Sequence, residues 1–300
     1  MLQWSRRPCV CEIMTGVTSR SPPKVTHAIP GENKIFSLTS LDDYVYVMRA
    51  YRKEVEVYDA VTMTLERCLP VYGISSGVSG IAACSSNKCL YLSVWDKIRI
   101  HRVNLATKWR VAAKPRGLSV NGDNNVLVTC IMDKKLQEYT TEGRLVREIC
   151  LPAGLGSPWH FIQLSTGDYV VSHWQSPGVV SVVGVDGRLV RDYEPSSSAD
   201  VGPMKCPRSL AATKHGDIFV ADQDNNRILA INSSLTRAQV FPLPDDVGLQ
   251  RPFALYLDDT RDRLYIGEWS GEHRVIALSM RAGFLETLFF NLNFSHACTE

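Results

Sequence analysis

The sequence has no apolar run long enough to cross a membrane. Its longest apolar stretches, of which residues 179–185 are typical, fall far short of the roughly 20 residues that a transmembrane helix needs. Arg6 and Arg7 are not followed by an apolar segment, so the pattern of a secretory signal is also missing. We therefore expect a protein that does not bind a membrane.

The cysteines follow no regular pattern. They number nine, an odd count, and their spacing is irregular, which argues against a disulfide framework and favours the reducing cytoplasm. Cys9 and Cys11 lie close together in the sequence. No matching Cys or His pair lies near them, so they do not indicate a zinc site.

Catalytic motifs are missing as well. No serine-histidine-aspartate arrangement, Walker motif or glycine-rich nucleotide loop occurs, and Gly143 and Gly187 are expected to be turn residues with positive φ. Lysine and arginine total 33 against 31 aspartate and glutamate, and the net charge of +2 gives no overall attraction to nucleic acid. The sequence predicts neither catalytic residues nor a cofactor.

One stretch that is present, residues 216–232 (GDIFVADQDNNRILAIN), has the pattern of a complete β-hairpin. Residues 218–220 are β-branched or aromatic, residues 222–226 are polar, and residues 228–231 are apolar again. This hairpin serves as a template for reading the rest of the chain.

The same pattern recurs along the sequence. The central residues of the successive second strands are 45, 91, 127, 170, 219 and 265, at intervals of 46, 36, 43, 49 and 46 positions. A short strand precedes each hairpin. Four of these strands begin with a proline, which is tolerated at the first residue of a strand. The four prolines are Pro115, Pro158, Pro207 and Pro252. A fourth strand follows most hairpins, and residues 142–147 and 186–191 are near copies.

Four strands in a repeat of roughly 45 residues, without helical periodicity, are typical of a β-propeller blade. We predict an all-β fold, a six-bladed β-propeller of four-stranded antiparallel blades, over residues 24–280, preceded by a loose N-terminal tail at 1–23. Propellers usually close by pairing strands from both termini. A strand at 25–29 is favoured for this, which leaves 281–300 as a C-terminal tail; the alternative is a final closing strand at 285–292.

Residues 207–232 resemble a blade of the NHL-repeat family. The matching positions are Pro207, Leu210, Ala211, Gly216, Asp217, Val220, Ala221, Asp222, Asn225, Asn226, Arg227 and Ile228. Blades starting at 115, 158 and 252 match in part, and the first two blades match only in hydrophobic pattern. The resemblance implies a recognition domain similar to the C-terminal propeller of TRIM-NHL proteins, but without the RING, B-box and coiled coil that supply ligase activity there.

The candidate binding residues follow from propeller geometry. Loops between second and third strands, and loops that enter first strands, lie on one face, which we call the top face. The predicted binding residues there are Arg116, Lys134, Lys135, Trp159, His160, Arg208, Arg227 and Trp269. Arginine, lysine and aromatic residues together also suit single-stranded RNA, but acidic residues in the same loops favour an ordinary solvated rim.

These observations lead to three functional hypotheses. We expect a non-enzymatic, monomeric recognition propeller that binds a protein partner through its top face. An RNA-binding NHL domain is the first alternative, and a metal-dependent lyase or hydrolase is the less favoured one. A metal would need three converging ligands, for which His160, His173 and His273 are weak candidates because they lie in different blades.

Overall fold

The computed structural model describes residues 23–71, 78–94, 97–102, 107–109, 111, 114–175, 177–193 and 201–280, with backbone only for 97–102 and 107–108. The predicted C-terminal tail or closing strand lies outside these residues, as does the predicted N-terminal tail apart from its last residue. The described segments contain strands and one short 3-10 turn, Gln223–Asn225. None of them is a helix that could span a bilayer.

The described residues form 24 strands, numbered in chain order. They are β1 (Lys24–Ile29), β2 (Ile35–Leu41), β3 (Tyr44–Arg49), β4 (Glu54–Asp59), β5 (Leu65–Pro70), β6 (Val78–Cys84), β7 (Cys89–Val94), β8 (Lys97–Arg102), β9 (Thr107–Trp109), β10 (Pro115–Val120), β11 (Val126–Cys130), β12 (Lys135–Tyr139), β13 (Leu145–Cys150), β14 (Ser157–Gln163), β15 (Tyr169–Trp174), β16 (Val179–Val183), β17 (Leu189–Tyr193), β18 (Pro207–Ala212), β19 (Ile218–Asp222), β20 (Arg227–Ile231), β21 (Ala238–Val240), β22 (Pro252–Asp258), β23 (Arg263–Glu268) and β24 (Val275–Ser279).

Within the described residues these strands make six four-stranded antiparallel sheets, or blades. Blades 1 to 5 are β2–β5, β6–β9, β10–β13, β14–β17 and β18–β21, and blade 6 is β22–β24 with β1. The all-β propeller prediction, with four antiparallel strands to a blade, is thus confirmed. Gly143 and Gly187 have φ of 87° and 83°, as their turn assignment predicts.

The hydrophobic core lies between blades. One cluster of buried residues fills each contact between neighbours, including the contact between blade 6 and blade 1, where Val45 and Val47 meet Tyr265 and Val275. The fourth strand of a blade is more exposed, as in β5 and β17. Because a blade has two apolar faces, it is stable only between two neighbours.

The ring closes through the N-terminal strand. β1 pairs antiparallel with β24, with Val25 opposite Leu278 and Ile29 opposite Val275. Blade 6 therefore takes its outer strand from the start of the chain and its other three strands from the end. This pairing is the alternative that the sequence favours, and it covers an edge of β24 that would otherwise be open.

Polar side chains connect the first strands of neighbouring blades. Ser119 Oγ donates to the Phe161 carbonyl at 2.6 Å, Ser209 Oγ donates to the Leu255 carbonyl at 3.3 Å, and the Ile81 N–H donates to Ser37 Oγ at 3.2 Å. A first strand has one edge without a β partner, so its backbone groups need other bonds. These side chains supply them around the channel.

Deleting residues 1–29 should destabilise the propeller, because the deletion removes β1 and exposes the hydrogen-bonding edge of β24. We expect the midpoint of thermal unfolding to fall by about 4 °C or more, which corresponds to at least about 1 kcal/mol for a domain of this size. Differential scanning calorimetry measures the change. Deletion of residues 1–22 is the matched control, and equal midpoints for the two truncations would contradict the closing role of β1.

Candidate binding site at the channel mouth

The six first strands place one equivalent residue each at the top of the channel. It is the residue that follows the last regularly paired position before the register between the first and second strands shifts. Around the ring these residues are Phe36, Ser79, Arg116, Trp159, Arg208 and Phe253. In every blade the register shifts at this point. Such an irregularity bends the strand and re-aims a side chain.

Five of these side chains meet at the axis together with Trp269, which follows β23. We call this group the mouth cluster; its members are Phe36, Arg116, Trp159, Arg208, Phe253 and Trp269. The sequence predicts Arg116, Trp159, Arg208 and Trp269 as top-face residues, and the structure brings these four into contact. Whether they bind a partner stays a prediction.

The rings of the mouth cluster pack against one another. Phe253 stacks on Trp269 with centroids 4.4 Å apart and planes at 25°. Edge contacts join Phe253 to Trp159 at 5.5 Å, Phe36 to Phe253 at 5.8 Å and Phe36 to Trp269 at 5.3 Å. Aromatic pairs at such distances contribute roughly 0.5–1.5 kcal/mol each beyond area burial. The cluster is therefore a fixed group of rings.

Two arginines complete the cluster by stacking on Trp159. The guanidinium carbon of Arg208 lies 3.9 Å from the Trp159 ring centroid, and that of Arg116 lies 4.3 Å from it. Arg116 also lies over Phe36 at 5.3 Å, and Arg208 lies 5.3 Å from Phe253. Aromatic faces attract cations, so the rings offset part of the cost of taking the arginines out of water.

This position lowers the pKa values of both arginines. Burial, and then the charge of neighbouring Arg208, lowers the pKa of Arg116 to about 10. Burial likewise lowers the pKa of Arg208 to about 10, against the opposing effects of Cys206 and Asp224. Both remain charged near neutral pH. Their lowered pKa values show that the mouth is a site of concentrated positive charge with little solvent around it.

Exposed apolar side chains surround the mouth cluster on the top face. Trp174 at the end of β15 is 50% exposed and touches Trp159 at 5.9 Å between centroids. Tyr51 and Met132, in the loops between second and third strands of blades 1 and 3, are 79% and 68% exposed. Lys34 adds a cation 4.4 Å from the Trp269 ring centroid. Exposed acidic residues lie in the same loops, among them Asp133 and Glu272. The rim therefore combines apolar side chains with charges of both signs.

Arg227 has a structural role, and its assignment as a binding residue stays a prediction. Its Nε forms an ion pair with Asp222 at 2.7 Å, and its other nitrogens donate to the carbonyls of Val201, Gly202 and Pro203 in the loop that enters blade 5. Asp222 also accepts from the Lys205 N–H at 2.7 Å. We call this arrangement, in which Asp222 and Arg227 hold the entering loop, the loop clamp. It engages the Arg227 guanidinium within the protein.

The same clamp recurs in other blades. In blade 6, Arg274 pairs with Glu268 at 2.8 Å and donates to the Val247 and Gly248 carbonyls, while Glu268 accepts from the Gln250 N–H. His173 holds the same position in blade 4 as Asp222 does in blade 5, each opposite the proline that starts the first strand.

His173 holds the loop that enters blade 4. Its Nδ1 lies 3.0 Å from the Gly156 carbonyl and therefore carries the proton, and Nε2 accepts from Ser181 Oγ at 2.6 Å. Burial lowers its pKa. His273, the candidate from blade 6, is only half-buried, and its backbone carbonyl accepts from Arg49.

Lys134 and Lys135 are also engaged within the protein. The Lys134 ammonium donates to the Leu155 carbonyl at 3.0 Å, and Lys135 pairs with Glu148 at 2.6 Å, which raises the lysine pKa. Neither side chain reaches the mouth cluster by any contact among the described residues. Their assignment as binding residues remains untested, but the geometry places them at the periphery.

His160 lies in the channel wall below the mouth, and its assignment as a binding residue stays a prediction. Its Nε2 donates to the Leu118 carbonyl at 3.0 Å, and its Nδ1 accepts from the Leu210 N–H at 3.2 Å, so one ring ties three blades together. Burial lowers its pKa to about 4. With both nitrogens bonded to backbone, His160 does not offer a free ligand atom. In the part of the chain that the structure describes, no three His, Cys, Asp or Glu side chains gather to hold a metal.

His160 also lines a cavity of about 280 Å³ enclosed by the first strands. Its other walls include Ser37, Ser119, Gln163 and Tyr256. The cavity begins just beyond the mouth cluster along each first strand, so the cluster separates it from the top face.

Phe36 and Phe253 are the members of the mouth cluster that the predicted binding residues do not include. The blade of Phe36 lacks the proline found in the first strands of blades 3 to 6, so nothing in the local sequence aligns Phe36 with Arg116 or Phe253. Ile35 pairs with Arg49 as Pro115 pairs with Cys130, and only this pairing reveals the equivalence.

Comparisons with known proteins identify a fold and no family. No family model matches the chain, and no curated protein matches its sequence. Streptogramin B lyase superposes with a TM-score of 0.62 at 13% identity, covering 86% of this chain and 98% of the other. A protein of unknown function from Bacteroides caccae gives 0.63 at 16% identity, with coverage of 78% and 90%.

A third solved structure, the hydrazine synthase of Kuenenia stuttgartiensis, gives a TM-score of 0.62 at 17% identity, with 89% of this chain and 82% of the other covered. All three identities are low, so the likeness shows the fold alone. The propeller fold is therefore shared with solved proteins, among them an enzyme named as a lyase.

Replacing Asp222 by Asn should destabilise the protein by about 3 kcal/mol, because it leaves the half-buried guanidinium of Arg227 without its charge partner. Urea unfolding followed by circular dichroism measures the free energy. Glu32→Gln is the control, since Glu32 and Arg52 form an exposed pair that contributes about 0–1 kcal/mol. Equal losses in the two variants would show that the loop clamp does not stabilise blade 5.

His160 should make the protein less stable as the pH falls. Its folded pKa of about 4 is below its ordinary value of about 6.5, so the unfolded chain binds more protons between these values and stability is lost as the pH drops through that window. In His160→Asn the pH dependence of the unfolding free energy should be shallower over this range. Nitrogen NMR should show His160 neutral, with its proton on Nε2, at pH 6; a charged ring there would refute the assignment.

Proposed function

We propose that this chain is a non-enzymatic recognition propeller of the NHL type that binds a protein partner through the mouth cluster and its rim. The mouth cluster is the observation that carries the proposal. It presents tryptophan, arginine and phenylalanine, held in fixed positions, next to exposed apolar side chains. Tryptophan, tyrosine and arginine dominate the binding energy of protein interfaces.

The rim supports a protein partner because its exposed residues are of the kind that interfaces bury. Tyr51, Met132 and Trp174 are all at least half exposed and all lie on the top face. Aromatic residues and methionine are enriched in interface cores, where charged residues are depleted. A binding surface formed by these three side chains around a rigid centre suits a folded or extended polypeptide.

The loop clamp supports the NHL comparison. In residues 207–232 the motif places Asp222, Asn225 and Arg227 in one network, where Asn225 Nδ2 donates to Asp222 Oδ2 at 2.7 Å and to the Pro203 carbonyl at 2.9 Å. The residues that carry the resemblance thus hold the loop that enters the first strand. These residues fix the loops of the top face, and other residues contact the partner.

Two further properties belong to the proposal. The six cysteines among the described residues are all free thiols, which agrees with a reducing cytoplasmic location. The likeness to streptogramin B lyase concerns the fold, and two of the three histidines predicted as metal candidates, His160 and His173, use their ring nitrogens for structural hydrogen bonds. We therefore assign no lyase or hydrolase activity to the top face.

Trp174→Ala should reduce partner binding without unfolding the protein, because half of the side chain is exposed on the rim. Short random peptides displayed on phage and selected on the immobilised full chain provide the probe. For synthetic copies of the selected peptides, calorimetry should show an affinity loss of about tenfold, or about 1.4 kcal/mol.

The control for this experiment is Val185→Ala. Val185 lies in the same blade and is 49% exposed, but its loop joins the third and fourth strands at the opposite end of the propeller. This variant should bind like the unaltered protein. Peptides whose affinity depends on Val185 and not on Trp174, or a failure to select any peptide, would overturn the proposed function.

A further inference from the structure

Buried or half-buried arginines in this protein generally have an acidic partner. Arg49 pairs with Glu56 at 2.8 Å, Arg227 with Asp222 at 2.7 Å and Arg274 with Glu268 at 2.8 Å. In each case the carboxylate compensates the charge at short range. The arginines of the mouth cluster are compared with these three arginines below, with respect to their acidic partners.

Arg208 differs from these three arginines. It is only 8% exposed, and among the described residues no carboxylate forms an ion pair with it. Its Nε donates to the neutral Gln223 amide oxygen at 2.7 Å. Its Nη1 is buried and has no hydrogen-bond partner within the described chain. A buried charged donor without an acceptor costs stability.

The nearest acid does not fill this gap. The charge of Asp224 acts on Arg208, but the Asp224 carboxylate is paired with Arg251 at 2.7 Å. Arg116, which stacks on the same Trp159 ring, adds positive charge near Arg208. The described residues therefore place two guanidinium groups on one ring, and none of their carboxylates forms an ion pair with Arg208.

From this arrangement we propose that the mouth cluster binds a carboxylate of the partner, so that the occupant of the top face is an acidic peptide segment anchored on Arg208 and Arg116. The inference rests on the proposed function. A carboxylate accepts two parallel N–H bonds from a guanidinium, which a neutral amide does not match. The Nη1 of Arg208 gains the acceptor that the described residues do not provide.

The surroundings favour an acidic peptide over a nucleic acid. Single-stranded RNA is bound by stacking bases on open aromatic faces. Here Trp159 is covered by Arg116 and Arg208, and Trp269 is covered by Phe253 and Lys34. The rings of the mouth cluster are thus already used inside the protein. A cationic centre next to the exposed Tyr51, Met132 and Trp174 side chains matches a peptide in which an acidic residue is flanked by apolar ones.

The path to Arg208 lies beside Trp174. This ring is 5.3 Å from the Arg208 guanidinium and half exposed, so it is the member of the surrounding layer that a ligand displaces most easily. Displacement also offers the peptide an apolar surface on the Trp174 ring itself. The same side chain then serves both the rim contact and access to the anion site.

The test uses two pools of fluorescein-labelled short peptides and the full chain. Both pools have random apolar and polar positions, but the central positions carry glutamate in one pool and glutamine in the other. Fluorescence anisotropy should show the glutamate pool binding about tenfold or more tightly, with an affinity that weakens as salt is added. Arg116→Gln and Arg208→Lys should each abolish most of this difference. Glutamine has no positive charge, and lysine lacks the forked donors of arginine.

Controls separate this inference from the proposed function and from misfolding. Arg188→Gln, at an 87% exposed arginine on the opposite end, should leave the glutamate preference unchanged. Arg116 is less buried than Arg208, so its variant keeps the test valid if the Arg208 variant unfolds. Equal binding of both pools, still dependent on Trp174, would overturn the carboxylate site and leave the proposed function standing.

Two other results would also count against the carboxylate site. Binding of neither pool would refute the proposed function itself, and the carboxylate site with it. Binding of a labelled oligouridylate in place of the peptides, with the same dependence on Arg116 and Arg208, would assign the mouth cluster to a phosphate-containing nucleic acid and overturn the inference.

Discussion

The two apolar faces of every blade are the constraint on which the rest of this structure depends. A single four-stranded sheet leaves both faces in water, and each face is covered only by the next blade, so burial is complete only when the last blade meets the first. Here the contact between blades 6 and 1 is as apolar as the others, and β1 joins blade 6 across it. Closure then forces the first strands to converge on one axis.

Convergence of the first strands explains why distant residues form one site. Phe36 and Phe253 are far apart in the sequence, yet each is the residue at which its first strand becomes irregular. The site therefore needs no long loops. Its precision comes from strands, and from loop clamps that fix where each strand begins. Asp222, Glu268 and His173 perform this task with different chemistry at the same position, because any side chain that bonds the entering loop meets the requirement.

Much of the fold follows from the sequence, because period-2 hydrophobicity, prolines and turn glycines are local signals. The strand centres at 45, 91, 127, 170, 219 and 265 all fall in second strands. The candidate site is predicted less well, because the sequence does not reveal which side chains are engaged in contacts within the protein. Arg227 and Arg208 have the same chemistry, and each lies at or next to the first residue of a strand of blade 5, but Asp222 pairs with Arg227 and not with Arg208. His160 lies next to Trp159 in the sequence and yet points into the channel wall.

The contrast between Arg227 and Arg208 also supports the proposal that the mouth cluster binds a partner. Stability alone would favour an apolar side chain at a buried position, as Phe253 and Phe36 show at equivalent places in the ring, since a buried cation costs free energy that aromatic contacts only partly offset. A guanidinium kept at such a place, with an unsatisfied donor, raises the energy of the free protein. An anion that supplies the acceptor lowers it, so the cost in the free state becomes part of the preference for an acidic partner.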